Sequence, residues 1–233
     1  MAKKHNKEQE TSAVSLISMV DQSSPITEQY RTIRTNIQFS SSADKRIKTI
    51  VITSSGPGEG KSTTSANLAV VFANSGQRTL LVDADMRKPT VHKSFGLTNN
   101  RGLSTILSTE TQVGDVVNAT HVPNLFVVTS GIKPPNPSEL LGSVRFDVVM
   151  DELSRLYDII IFDMPPVVTV TDAQIVSSKA DGTILVVRED VTRKDAVMKA
   201  KELLELTKAH VLGVVYNGSK DASDKGYYYY YGN

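Results

Sequence analysis

Cysteine and tryptophan are missing from this chain of 233 residues. Without cysteine there is no disulfide framework, no thiolate metal site and no cysteine nucleophile, and a reducing cytoplasm is the expected setting. No apolar run approaches the roughly 20 residues of a membrane-spanning helix. The start Met1–Glu10 is not followed by an apolar signal core, so a soluble, unprocessed chain is expected. Excess charge is lacking too. The 26 Lys and Arg stand against 25 Asp and Glu, and a balance of +1 provides no general field for nucleic acid, which is not expected as a partner. The length suits one α/β domain with a sizeable core. Tyrosine is the exception to this bland composition: five of the eight are consecutive, Tyr227, Tyr228, Tyr229, Tyr230 and Tyr231.

Residues 1–23 are polar apart from a short apolar patch around Val14–Val20, and a flexible arm is expected there. Ile26, Tyr30, Ile33 and Ile37 recur at helical spacing behind Ser24 and Pro25, predicting a capped helix over about 25–40. Short β-branched and aliphatic runs predict six strands, at 49–53, 79–82, 125–129, 159–162, 183–187 and 211–216. Helices are expected at 62–74, near 113–119, and at 137–156, 173–179 and 194–208. For the helix at 137–156, Asn136 is the expected cap and Glu139 its capping-box partner. This alternation implies a doubly wound α/β domain over 24–217, its mainly parallel sheet covered by helices on both faces. The tail 218–233 has no apolar periodicity and is expected to be disordered.

Between the first strand and its helix lies Ser55-Gly56-Pro57-Gly58-Glu59-Gly60-Lys61-Ser62-Thr63. Glycines let backbone N–H groups turn inward on a phosphate, and the helix start adds partial positive charge. The stretch nearly meets the phosphate-loop pattern G-x-x-x-x-G-K-[ST]; Ser55 replaces the first Gly and must hold a φ open to serine. Lys61 would reach the β and γ phosphates, and Ser62 would bind Mg²⁺. Two further strands end in acids, at Asp83-Ala84-Asp85 and at Asp163, on the sheet edge where doubly wound folds bind ligands. Asp163 suits a metal water, Asp83 the proton of an incoming hydroxyl, and Asp85 either role. Singly, each is more often a turn former or helix cap; three beside a phosphate loop favour function. Asn217, after the last strand, either matches a purine edge or forms an Asn-Gly turn.

In their order and company these motifs resemble the bacterial tyrosine kinases (BY-kinases), specifically the separate cytoplasmic kinase subunits of Gram-positive capsule and exopolysaccharide operons. The similarity spans nearly all of 25–233 and rests on PGEGKST (57–63), LLVDADMRKP (80–89), PPNPSELL (134–141), the second acidic strand with Pro165-Pro166, EQYRTIR on the first helix, and the terminal tyrosines. It implies a P-loop NTPase-like fold that uses ATP and Mg²⁺. Nucleotide would be held by Gly58, Glu59, Gly60, Lys61, Ser62 and Thr63, with Asn217 as a candidate. The metal would be held by Ser62, Asp83 and Asp163, with Lys61, Asp83 and Asp85 catalytic. The resemblance makes Tyr227–Tyr231 the phosphoacceptors, modified in trans.

Glu28, Arg31 and Arg34 match the family's Glu-x-x-Arg-x-x-Arg, which mediates ring assembly; a surface pair within the helix, worth about 0.3–0.5 kcal/mol, is the plainer alternative. The family also implies a membrane-anchored activator of the polysaccharide co-polymerase type. Its cytoplasmic tail would recruit this subunit to the inner face of the membrane, near protein substrates in polysaccharide synthesis. Met164 stands where relatives usually carry Thr.

A partition or septum-site type ATPase switch, without kinase activity, is the alternative on the same superfamily. Those switches carry a signature Lys five residues before the phosphate Lys, where this chain has Gly56. As an interfacial anchor the tyrosine run would leave the loop and acids unexplained, so that role could only be an additional one.

Overall fold

A computed structural model of the chain describes residues 12–40 and 46–219. The expected acceptors Tyr227–Tyr231, most of the tail, residues 1–11 and residues 41–45 lie outside the described residues. In chain order the elements are α1 (Ile17–Val20), α2 (Pro25–Phe39), β1 (Thr49–Ser54), α3 (Lys61–Asn74), β2 (Thr79–Asp83), α4 (Val91–Ser94) and α5 (Leu103–Ser108). A 3₁₀ turn (Val113–Asp115) leads into β3 (Val117–Ala119), β4 (Leu125–Val128), α6 (Pro137–Gly142) and α7 (Val144–Leu156). There follow β5 (Ile159–Asp163), α8 (Asp172–Ser177), β6 (Gly182–Arg188), α9 (Lys194–Leu206) and β7 (Val211–Asn217). The sheet runs β3-β4-β2-β5-β1-β6-β7, parallel throughout except for β3 against β4.

The central strands are buried on both faces, and their side chains divide by the two-residue period. Val51, Leu80, Val82, Ile160, Phe162 and Leu185 enter one core with Leu103, Phe146, Leu153 and Leu204. Ile50, Ile52, Leu81, Ile159, Ile161, Ile184 and Val186 enter the other with Ile37, Leu68 and Phe72. Helices therefore cover both faces of a mainly parallel sheet, and β1, β2 and β5 deliver their carboxyl ends side by side. Ser24 caps α2 as expected, its side chain accepting from the N–H of Ile26.

Four local readings are corrected. The stretch 113–119 is not a helix: after one 3₁₀ turn, Val117–Ala119 pairs antiparallel with β4, a seventh strand. Gly114 weakens a helix there, and Val116-Val117 favours extended backbone that can complete the open edge of β4. The expected helix 137–156 is two helices. Ser143 is extended (φ −76°, ψ 157°), and its hydroxyl donates to the carbonyl of Leu140 while accepting from the N–H of Phe146. Asn136 makes no capping bond to the backbone; its amide donates to the Glu139 carboxylate instead, at 3.0 Å. Finally, the apolar patch placed in a flexible arm is packed, with Leu16 7% exposed and Ser18 fully buried.

Candidate active site

The loop after β1 turns on Gly58 (φ 77°) and Gly60 (φ 98°), conformations that a Cβ disfavours. At Gly60 a Cβ would also lie 2.0 Å from the amide nitrogen of Asn217. That amide donates to the carbonyl of Glu59 at 3.0 Å, so the end of β7 braces the loop. Arg188, ending β6, donates to the carbonyl of Gly58 at 2.9 Å. Ser55 is not among the residues of positive φ. Its N–H and hydroxyl donate to the buried Glu59 carboxylate at 2.9 and 2.8 Å. The departure from glycine thus gains a second bond within the loop, and the Glu59 side chain is spent on the loop itself.

Lys61 opens α3 with its ammonium 2.9 Å from Asp85, 3.2 Å from the Ser62 hydroxyl and 3.8 Å from Asp163. Burial works against its charge, but Asp163, Asp85 and Asp83 outweigh that and raise its pKa. Asp83 and Asp163 are neighbours in register across β2 and β5, both with no exposure. Asp83 accepts from the N–H groups of Thr90 and Val91 through Oδ2, capping the start of α4. Its Oδ1 is buried with no partner, as is Oδ2 of Asp163, while Asp163 Oδ1 accepts from the Ser65 hydroxyl. Burial, then the charge of Asp163, push the Asp83 carboxyl well above its usual range, Lys61 pulling the other way. Burial likewise raises Asp163, against the pull of Lys61 and of the Ser62 and Ser65 hydroxyls. Asp85 accepts from the N–H of Lys88 and holds Lys61.

The expected constellation is therefore assembled: Lys61, Ser62, Asp83, Asp85 and Asp163 meet at the carboxyl edge of three adjacent strands. A cavity of about 550 Å³ opens onto it, lined by Gly58, Gly60, Lys61, Ser62, Thr63, Asp85, Arg188 and Asn217 among others. The orphaned Oδ2 of Asp163 and the Ser62 hydroxyl beside that carboxylate are hard oxygen donors that fit Mg²⁺, an ion usually held by one or two carboxylates plus substrate phosphates.

The sequence reading did not single out Arg188, whose signal was a charge ending an apolar strand on the ligand edge. It also passed over a network that ties the acidic loop to α6 and α8. Arg87 grips the fully buried Asp172 with two bonds of 2.9 Å and reaches the Ser138 hydroxyl at 3.1 Å; Ser138 donates to Asp172 at 2.6 Å. On α2, Arg31 pairs with Glu28 at 2.7 Å and donates to the carbonyl of Gln22, while Arg34 donates to the carbonyl of Val71 on α3. Within one chain, then, the helix has the plainer pairing.

Residues 47–209 match the family described as AAA domain. Tyrosine-protein kinase YwqD of Bacillus subtilis (strain 168) is 48% identical over 215 residues, 92% of this chain and 90% of that protein. The putative tyrosine-protein kinase CapB of Staphylococcus aureus is 46% identical over 209 residues, 90% of this chain and 91% of that one. The chain belongs to the bacterial tyrosine-protein kinases. Its fold matches the crystal structure of the chimerical protein CapA2B2 with a TM-score of 0.85 at 46% identity, covering 91% and 94% of the two chains. The kinase domain of Escherichia coli tyrosine kinase ETK matches at 0.82 and 28% identity, covering 94% and 88%. The kinase also shares its fold with the cell division ATPase MinD of Pyrococcus furiosus, at 0.63 and 25% identity over 76% of this chain. Among the described residues of the kinase, no helix is long and apolar enough to cross a membrane.

Proposed function

We propose that this kinase transfers the terminal phosphoryl group of ATP to Tyr227–Tyr231 of a neighbouring copy, and thereby controls capsular or exopolysaccharide synthesis. One observation carries the reading: Lys61, Ser62 and Asp85 line one cavity, and behind them the buried Asp163 lies 3.8 Å from the Lys61 ammonium with Asp83 beside it in register. The inward N–H groups of 58–63 and the start of α3 bind the phosphates, and Lys61 leaves Asp85 to meet the β and γ oxygens. Ser62 and Asp163 would hold Mg²⁺, which supplies positive charge against the transferring group. The phenol oxygen bonds to the γ phosphorus as the bond to the β-bridging oxygen breaks and ADP leaves. The phenol proton passes to Asp83 Oδ1, the buried oxygen without a partner, whose raised pKa suits it to hold that proton.

A tail tethered to an assembly presents acceptors at an effective concentration on the order of millimolar, so weak sequence recognition suffices. Glu28 and Arg31 exchange their intrahelical pair, and Arg34 its bond to the Val71 carbonyl, for a neighbour's groups and so join copies into a ring. A membrane-anchored activator holds that ring at the inner face of the membrane, and enzymes of polysaccharide synthesis are further substrates. The fold shared with MinD makes a partition or septum-site ATPase switch the second reading; Gly56 in place of the signature Lys weighs against it.

Mixing two variants with ATP, Mg²⁺ and the activator's cytoplasmic fragment tests transfer in trans. A chain ending at residue 226 is the donor and Lys61→Met the acceptor. Phosphotyrosine on the Lys61→Met tail is expected; an unmodified tail beside a donor that still binds ATP would refute it.

A further inference from the structure

Residues 12–18 run along the same cavity, where Ser12, Ala13, Val14 and Ser15 line it together with Arg188 and Asn217. They are fastened at three points. The Asn67 side chain, fully buried on α3, accepts from the N–H of Ser18 at 2.9 Å and donates to the carbonyls of Ser15 and Thr63 at 2.8 and 2.9 Å. The N–H of Val14 donates to the Ser94 hydroxyl at 3.0 Å, and Leu16 sits in the core beside Ile37 and Val91.

These anchors have a direction. Ser94 in turn donates to the carbonyl of Thr90 at 3.2 Å, and the N–H of Thr90 donates to Asp83 Oδ2. One route thus runs from the segment to the proposed proton acceptor, and Asn67 ties it to Thr63 of the phosphate loop. In the sheet β2, which bears Asp83, and β7, which bears Asn217, lie on opposite sides of β1. The segment therefore bridges the phosphate loop, through Asn67 and Thr63, and the acidic segment, through Ser94 and Thr90.

We propose that residues 12–18 form the acceptor-side wall of the active site, the surface along which the tyrosine segment of a second copy lies, with Asn67 and Ser94 as positioning residues. This rests on the phosphotransfer reading above. The exposed residues Ser12, Ala13 and Ser15 offer backbone groups to an extended peptide.

The test uses the full chain and a peptide spanning residues 219–233 as added acceptor. Asn67→Ala risks α3 itself, so Leu16→Ala and Ser94→Ala are measured, with unfolding midpoints confirming the fold. The expected result is an acceptor KM raised on the order of fivefold or more in both variants, with the Kd for ATP changed by less than about twofold. An unchanged acceptor KM, or an ATP Kd weakened by the same factor as the acceptor KM, overturns the proposal. Hydrogen exchange gives a readout independent of turnover: the peptide should slow exchange of the Ser12–Ser18 amides, and no slowing at saturating peptide also overturns it. If the unaltered chain binds the peptide with that protection yet transfers no phosphate, the phosphotransfer reading fails and the wall stands.

Discussion

Gly60→Ala probes why the phosphate loop has its shape. A left-handed conformation costs a residue with a Cβ about 1–2 kcal/mol. The new Cβ would lie 2.0 Å from the Asn217 amide, which can retreat only by releasing the carbonyl of Glu59. That bond is worth about 1 kcal/mol, so the single variant should lose about 2–3 kcal/mol. Asn217→Ala alone loses the bond, about 1 kcal/mol, or more if the Glu59 carbonyl stays unpaired. In the double variant the overlap is gone and the bond is lost only once. The loss should remain at about 2–3 kcal/mol rather than the sum, a coupling of about 1 kcal/mol. Urea denaturation of the four proteins, followed by circular dichroism, measures the cycle. Losses that add to within about 0.5 kcal/mol would show that Asn217 does not exclude a side chain at position 60, and the bracing of the loop by β7 would be wrong.

Other consequences are equally open to measurement. Asp172→Ala removes a fully buried carboxylate from the Arg87 guanidinium and the Ser138 hydroxyl, and should cost on the order of 3 kcal/mol in urea denaturation; a change under about 1 kcal/mol would make the network dispensable. Asp83 is protonated more readily folded than unfolded, so it contributes stability below the ordinary Asp range that is lost as pH rises through its elevated folded value. Asp83→Asn should therefore be more stable than the unaltered chain at neutral pH, with the gain shrinking on acidification towards pH 4, as thermal melts across that range would record. A gain that grew with acid would reverse the sign argued here. Reversing Arg31 and Glu28 together preserves their intrahelical pair; sedimentation should still show loss of assembly if a neighbour reads their charges, and intact assembly would leave only the plainer pairing.

Much of this architecture was legible because it rests on local signals. Doubly buried strands read as unbroken aliphatic runs, and GKST between a strand and a helix carries its own geometry. The three acids could be placed together because parallel strands deliver their carboxyl ends to one edge. Long-range partners were harder to read. Nothing near Asn217 announces that its amide meets Glu59, 158 positions away, and the bond of Asn67 to Ser15 depends on how the first residues return over α3. β3 was missed because three residues form a strand only when β4 offers an open edge. The break at Ser143 had a signal, Gly142-Ser143 inside a helical run, that the strong apolar periodicity around it obscured.

The central claim is that the site built on Lys61 phosphorylates the tyrosine run of its own kind. A phosphosite map by mass spectrometry tests it most directly, comparing the unaltered chain with Lys61→Met after incubation with ATP, Mg²⁺ and the activator's cytoplasmic fragment. Phosphate on Tyr227–Tyr231 in the first and none in the second is the predicted result. ATP turnover with an unmodified 227–231 segment would contradict it and turn the reading towards an ATPase switch.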